Sequence, residues 1–161
     1  MNKIVTLKKA VKISKKLKAD KKTLIIGGGC FDILHLGHIK FLKNARKQGN
    51  VLLILLESDE SVRKLKGKER PINSQIQRAE ILAAITFVDY ILLLNGVKSN
   101  KDYDKLIKDL NPDIIAVTKN DPNIIHNKRQ AKEVGAKVLE VIARIPDKSS
   151  TNLAKLITQN F

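Results

Sequence analysis

The chain is poor in several things, and each shortage excludes a class. It has one cysteine, Cys30, so it builds no internal disulfide and suits a reducing cytoplasm. It has no tryptophan and only 4% aromatic residues, which leaves few platforms on which nucleic-acid bases could stack. No apolar run approaches the roughly 18 residues that a membrane span needs. The basic start, MNKIVTLKKAVKISKKLKAD, lacks the apolar core and small-residue cleavage site of a secretory signal. Acids are few: 16 Asp and Glu stand against 31 Lys and Arg, a net charge of +15. Such a charge attracts polyanions. The lysines, however, are scattered over most of the expected helices and form no single stripe, so they serve a small anionic substrate or plain solvation as readily as a nucleic acid.

What is present is a soluble composition of 161 residues, 43% hydrophobic, which fits one domain. Apolar runs alternate with helical patterns. Thr6 is placed to cap a helix over 7–19 with Leu7, Ala10, Val11, Ser14 and Leu17 on one face. Strands are expected at 23–29, 50–57, 88–94, 112–118 and 136–142, and further helices at 36–49, 74–85, 101–110, 127–135 and 150–157. Residues 58–73 read as a short helix followed by a charged loop. NVLLILLE (50–57) is nearly all apolar, the mark of a parallel strand covered on both faces. The alternation predicts an α/β domain, a Rossmann-like, doubly wound, five-stranded parallel sheet, with residues 1–20 as a helical segment packed on it. In that architecture a ligand binds at the carboxyl ends of the strands, beside the first.

That is where GGGCFDILHLGH (27–38) falls. Glycines admit close approach of a ligand to the backbone. The helix expected from Leu36 or Gly37 aims its free N–H groups and positive dipole end at the same point. His35 and His38, three apart, share one side of its first turn, and an imidazole N–H can stabilise charge growing on a phosphate oxygen. No Gly-Lys-Ser/Thr follows, so this is not a Walker loop. Zinc has too few histidines and cysteines to draw on.

The stretch GGCFDILHLGHIKFL resembles the signature of the nucleotidyltransferase superfamily, in its cytidylyltransferase-like branch, with His35-Leu36-Gly37-His38 as the HxGH motif. SDESVRKLKGKERPI, QIQRAEILAAITFVDYI and KSSTNLAKLI extend the likeness over almost the whole chain. GCFDILHLGH, RKLKGKERPI and SSTNL together are most similar to heptose-1-phosphate adenylyltransferases, then to glycerol-3-phosphate cytidylyltransferases, then to FAD synthases of the archaeal type.

The resemblance implies transfer of a nucleotidyl group from ATP or CTP, accompanied by Mg²⁺ on its phosphates and not by a metal site of the protein, to a small phosphorylated acceptor, with release of pyrophosphate. His35, His38 and Lys66 would be catalytic, Lys66 reaching over the phosphates from its loop. Gly28, Gly29, Cys30, Phe31, Asp32, Arg78, Lys119, Asn120, Asp121, Ser149, Ser150 and Thr151 would bind the nucleotide, and Arg70 and Arg144 the acceptor. Similar enzymes are commonly cytoplasmic homodimers. Read on their own residues, Arg78 is equally an arginine snorkelling from an apolar helix, Ser149–Thr151 a helix cap, and Cys30 a small packing residue. Three places depart from the pattern: VTKND (117–121) stands where Gly-Gly-Asp or Gly-Asp-Asp is usual, Gly27–Gly29 where Thr-Asn-Gly is, and Glu57 where asparagine or serine is commoner. DPNIIHNKRQAKE (121–133) is a candidate acceptor contact. A non-catalytic nucleotide or nucleic-acid binding module is the alternative that the charge alone would allow.

Overall fold

The computed structural model describes residues 2–143, 145 and 153. Its sheet is parallel throughout, in the order β1-β4-β3-β2-β5-β6. The strands are β1 (Ile4–Val5), β2 (Leu24–Gly29), β3 (Val51–Glu57), β4 (Tyr90–Leu94), β5 (Ile114–Thr118) and β6 (Lys137–Ile142). The helices are α1 (Leu7–Ala19), α2 (Leu36–Arg46), α3 (Asp59–Lys66), α4 (Gln75–Ala83), α5 (Asn100–Leu110) and α6 (Ile124–Val134). The expected five strands are therefore six. The extra one is the two-residue β1, which pairs Ile4 with Ile91 and Val5 with Leu92 at the edge of the sheet. The expected helix over 150–157 lies outside the described residues.

The apolar strands follow from burial on both faces. Leu24, Ile26, Leu53, Leu55, Leu92, Leu94, Ile115 and Val117 point to the side covered by α1, α5 and α6. Their neighbours Ile25, Leu52, Ile54, Leu56, Ile91 and Ala116 point to the side of α2 and α4. With side chains alternating at every residue, a strand sandwiched in this way must be apolar at consecutive positions. Helix α1 adds Ala10 and Leu17 to the first core and fixes itself with Ser14, whose hydroxyl donates to the Leu110 carbonyl. Leu7, expected on the same face, is 40% exposed.

Short polar residues start the helices. Thr6, Ser58 and Ser74 accept from Lys9 N, Ser61 N and Gln77 N, and Ser74 and Ser99 form reciprocal capping boxes with Gln77 and Asp102. Asp89 and Asp113, just before β4 and β5, accept from the amides of Leu52 and Leu24, both at 2.8 Å. These latches stitch the amino ends of the strands together. The carboxyl ends are left for other work. There the chain reverses its winding: β3 and β4 lie on one flank of β2, β5 and β6 on the other, so the switch point falls between β2 and β5, above Gly28.

Candidate active site

Strand β2 ends in three glycines with different reasons to lack a side chain. A Cβ on Gly29 would lie 2.9 Å from the Phe31 ring, and one on Gly27 3.1 Å from Phe41. These two make room for aromatic packing on the α2 side. A Cβ on Gly28 would meet nothing nearer than a backbone oxygen at 3.9 Å. Gly28 instead forms part of the wall of a cavity of about 480 Å³ on the α5 and α6 side.

His35 is the N-cap of α2: its Nδ1 accepts from the amide of Gly37 at 3.1 Å. With Nδ1 occupied as an acceptor, the proton of the neutral ring belongs on Nε2. His38 stacks on His35 with ring centroids 3.9 Å apart and planes 29° from parallel, and Phe31 flanks it at 5.2 Å. Burial, followed by the charges of His35 and Lys66, pushes the His38 imidazole down to about 3, against a smaller opposing pull from the backbone of Ile33. Burial and Lys66 also lower His35. Both rings are thus neutral N–H donors near pH 7. Nδ1 of His38 is buried with no hydrogen-bond partner among the described residues.

Lys66 closes α3, and Gly67 breaks the helix after it at φ +103°. The Lys66 charge acts on both imidazoles and on the Cys30 thiol, so the structure does bring the three residues expected to be catalytic to one neighbourhood. Cys30 is half-buried, and burial raises its thiol above the ordinary range, which makes it a packing residue rather than a nucleophile.

Several expected ligands prove to be fasteners. Asp32 is 1% exposed and accepts from Arg70 Nε and from the amides of Ile72 and Asn73, while Asn73 Nδ2 donates to its carbonyl. It ties down the loop after Gly67. Arg70, expected to reach the acceptor, is 7% exposed and is the partner of Asp32 in that tie. Arg78 is fully buried. It donates to the carbonyls of Asn73, Cys30 and Glu57 and to the Asp59 carboxylate. Its fork is occupied by the protein itself, and its burial does not suit the snorkelling alternative. The side chain of Phe31 is likewise buried, held by a backbone φ of +46°.

On the far side of β2, Asp121, Asn123, His126, Asn127 and Gln130 join the cavity wall. The segment from 121 thus does face it. Lys119 and Asn120 are exposed in the turn after β5 and are not part of this wall, nor are His35, His38 and Lys66. Arg144, Ser149, Ser150 and Thr151 lie outside the described residues. Glu57, Tyr103 and Asn100 line the cavity without having been singled out as ligands from sequence, although a lone acid ending the apolar run VLLILLE was a visible signal. Among the described residues no three His, Cys, Asp or Glu side chains are grouped to hold a metal ion, and no helix is long and apolar enough to cross a membrane.

Comparison with known proteins gives the family. The bifunctional protein HldE of Aliarcobacter butzleri is 38% identical over 98% of this chain, which spans 31% of its length. The HldE of Campylobacter fetus is 43% identical over 67% of this chain and 23% of its own. The chain thus covers less than a third of these curated relatives. A lipopolysaccharide core biosynthesis protein from Thermoplasma volcanium superposes with a TM-score of 0.61 at 26% identity, covering 80% of this chain and 99% of that one. Pantoate-beta-alanine ligase from Francisella tularensis, at 16% identity and a TM-score of 0.66, shares the fold, with 94% of this chain and 72% of that one covered. Residues 26–158 match the cytidylyltransferase-like family, and the chain belongs to that family of nucleotidyltransferases.

Proposed function

We propose that this chain transfers the adenylyl group of ATP to a sugar 1-phosphate of the heptose phosphate kind. The observation that carries the reading is the stacked, uncharged imidazole pair at the start of α2 beside the Lys66 ammonium. A phosphate oxygen of the acceptor attacks the α-phosphorus in line. The bond from that phosphorus to the bridging oxygen of the β-phosphate breaks, and pyrophosphate departs with the electron pair. No covalent enzyme intermediate is needed, so the protein contributes alignment and charge stabilisation.

His35 Nε2–H and the His38 ring donate to phosphate oxygens as charge develops. Neutral donors suit this task because they stabilise the transition state without first drawing a tight ion pair to the ground state. Lys66 adds a positive charge. Gly28 gives the phosphates access to the backbone. Magnesium enters with the triphosphate, as that ion usually does through substrate oxygens. By the family resemblance, Ser149, Ser150 and Thr151 would contact the pyrophosphate and Arg144 the acceptor. The likeness to HldE chains supports ATP and a heptose phosphate over CTP and glycerol phosphate.

Release of pyrophosphate, measured with ATP or CTP against heptose and hexose 1-phosphates, glycerol 3-phosphate and FMN, tests this. Turnover with ATP and a sugar 1-phosphate is expected. No release with any pair, together with salt-sensitive binding of RNA or DNA, would replace it with the binding-module reading.

A further inference from the structure

The cavity beside Gly28 has two unlike flanks. Its floor is apolar, with Ile26, Leu55 and Ile115 among its residues. The flank toward α6 carries Asp121, which the family resemblance assigns to the nucleotide, and Asn123, His126, Asn127 and Gln130 of the candidate acceptor stretch 121–133. The flank toward α3 and α5 carries Glu57, Tyr103, Asn100 and Ser61. Glu57 ends β3 and projects a carboxylate into this second flank. In a chain with 31 basic residues it forms no ion pair among the described residues. The Tyr103 hydroxyl donates to its Oε1 at 2.5 Å, and Oε2 accepts no hydrogen bond from the described residues. Burial and the Glu57 contact hold the Tyr103 phenol well above its ordinary range, so it remains a donor at any physiological pH.

A carboxylate pinned on one oxygen and open on the other is an acceptor-only group with a fixed direction. It repels phosphate and is satisfied by hydroxyl donors. We infer that Glu57, oriented by Tyr103, reads hydroxyl groups of the acceptor and so determines which sugar phosphate is used. This rests on the nucleotidyltransferase reading above. It also gives the acceptor a direction. Its hydroxyls lie against Glu57, and its phosphate is directed away from that carboxylate. An acceptor without a hydroxyl at the Glu57 position leaves a desolvated carboxylate oxygen unpaired, and sites of that kind reject the deficient analogue strongly.

The test is steady-state kinetics of wild type, Glu57→Gln and Tyr103→Phe with ATP, a sugar 1-phosphate and its singly deoxygenated analogues. Glu57→Gln keeps the shape and one acceptor oxygen, and its melting temperature reports folding. The expected result is an acceptor KM raised about tenfold or more for the full sugar phosphate, with the ATP KM unchanged. For one deoxy analogue the same substitution should cost almost nothing, because the lost hydroxyl and the lost oxygen are the same contact. Tyr103→Phe should raise the acceptor KM in the same direction by a smaller factor, and it carries the comparison if the glutamine variant does not fold. An unchanged acceptor KM in a folded variant would overturn the inference while leaving the enzyme reading intact. So would an effect confined to the ATP KM, which would assign Glu57 to the ribose, or a wild-type preference for an amino sugar phosphate. Absence of wild-type turnover with every acceptor would remove both readings, and that outcome appears before any variant is made.

Discussion

Arg78 on α4 donates a hydrogen bond to the carbonyl of Cys30 at the exit of β2, 48 residues earlier in the chain. The same guanidinium holds the Glu57 carbonyl at the exit of β3 at 2.9 Å and Asp59 at the start of α3 at 2.7 Å. One side chain therefore sets the spacing of the glycine turn, the end of the neighbouring strand and the helix that carries Lys66. It acts as a positioning residue.

Replacing Arg78 with methionine should cost about 3–5 kcal/mol, the usual effect of removing one partner of a buried charge network. Three backbone carbonyls would lose a donor at once. Arg78→Lys should recover less than half of this loss, because an ammonium cannot span the fork. Urea unfolding of the three proteins, followed by circular dichroism, measures both numbers. A loss under about 1 kcal/mol, no more than one ordinary hydrogen bond contributes, would show that the network is not cooperative.

The depressed His38 imidazole predicts a pH dependence of stability. The unfolded ring titrates near 6.5 and the folded one near 3. Below about pH 6.5 the unfolded chain takes up a proton that the folded chain refuses. Stability should fall as pH drops from 6.5 toward 3, with a slope of up to one proton from this group. His38→Asn should remove that part of the slope, while the carboxylates titrating below pH 5 contribute alike to both proteins. The difference between their urea midpoints across pH 4–7 isolates the histidine. Parallel curves would mean that His38 is not buried as described.

Gly28→Val should separate folding from binding. A Cβ at this position meets nothing nearer than 3.9 Å, and valine suits a strand better than glycine does. The melting temperature should hold or rise. Overfilling the approach to the backbone should weaken ATP binding by about 1–3 kcal/mol, roughly five- to 150-fold. Calorimetric titration with ATP reads this directly. Unchanged affinity would move the nucleotide away from β2.

Much of this was legible in the chain itself. The strands β2 to β5 announce themselves as apolar runs, β2 closed by glycine and β3 by an acid, and Thr6 and Ser74 mark helix starts by capping chemistry. Helix α2 stops at Arg46, short of Gly49, and α6 starts at Ile124, three residues before the expected 127, because end positions depend on single hydrogen bonds. The two-residue β1 was not visible, since Ile4 and Val5 become a strand only by pairing with β4, some 87 residues on. The fates of Asp32, Arg70 and Arg78 were hidden for a related reason. A motif says which residues gather near a site, but whether a charged side chain faces the ligand or its own backbone depends on partners 38 and 48 residues away. Tyr103 belongs to no motif, and its meeting with Glu57 comes only from the packing of α5 beside β3.

The shortness of β1 has a bearing on how the molecule keeps to itself. Without Ile4 and Val5, the strand YILLL would present its full row of free amides and carbonyls along an open, greasy margin, the template on which neighbouring molecules add strand to strand. Two residues are enough to occupy that margin, and the lysine-studded α1 that follows places like charges beside it. Trimming the segment ahead of Thr6 should therefore be felt first as clumping in concentrated solution, well before any chemistry at the opposite end of the strands is disturbed.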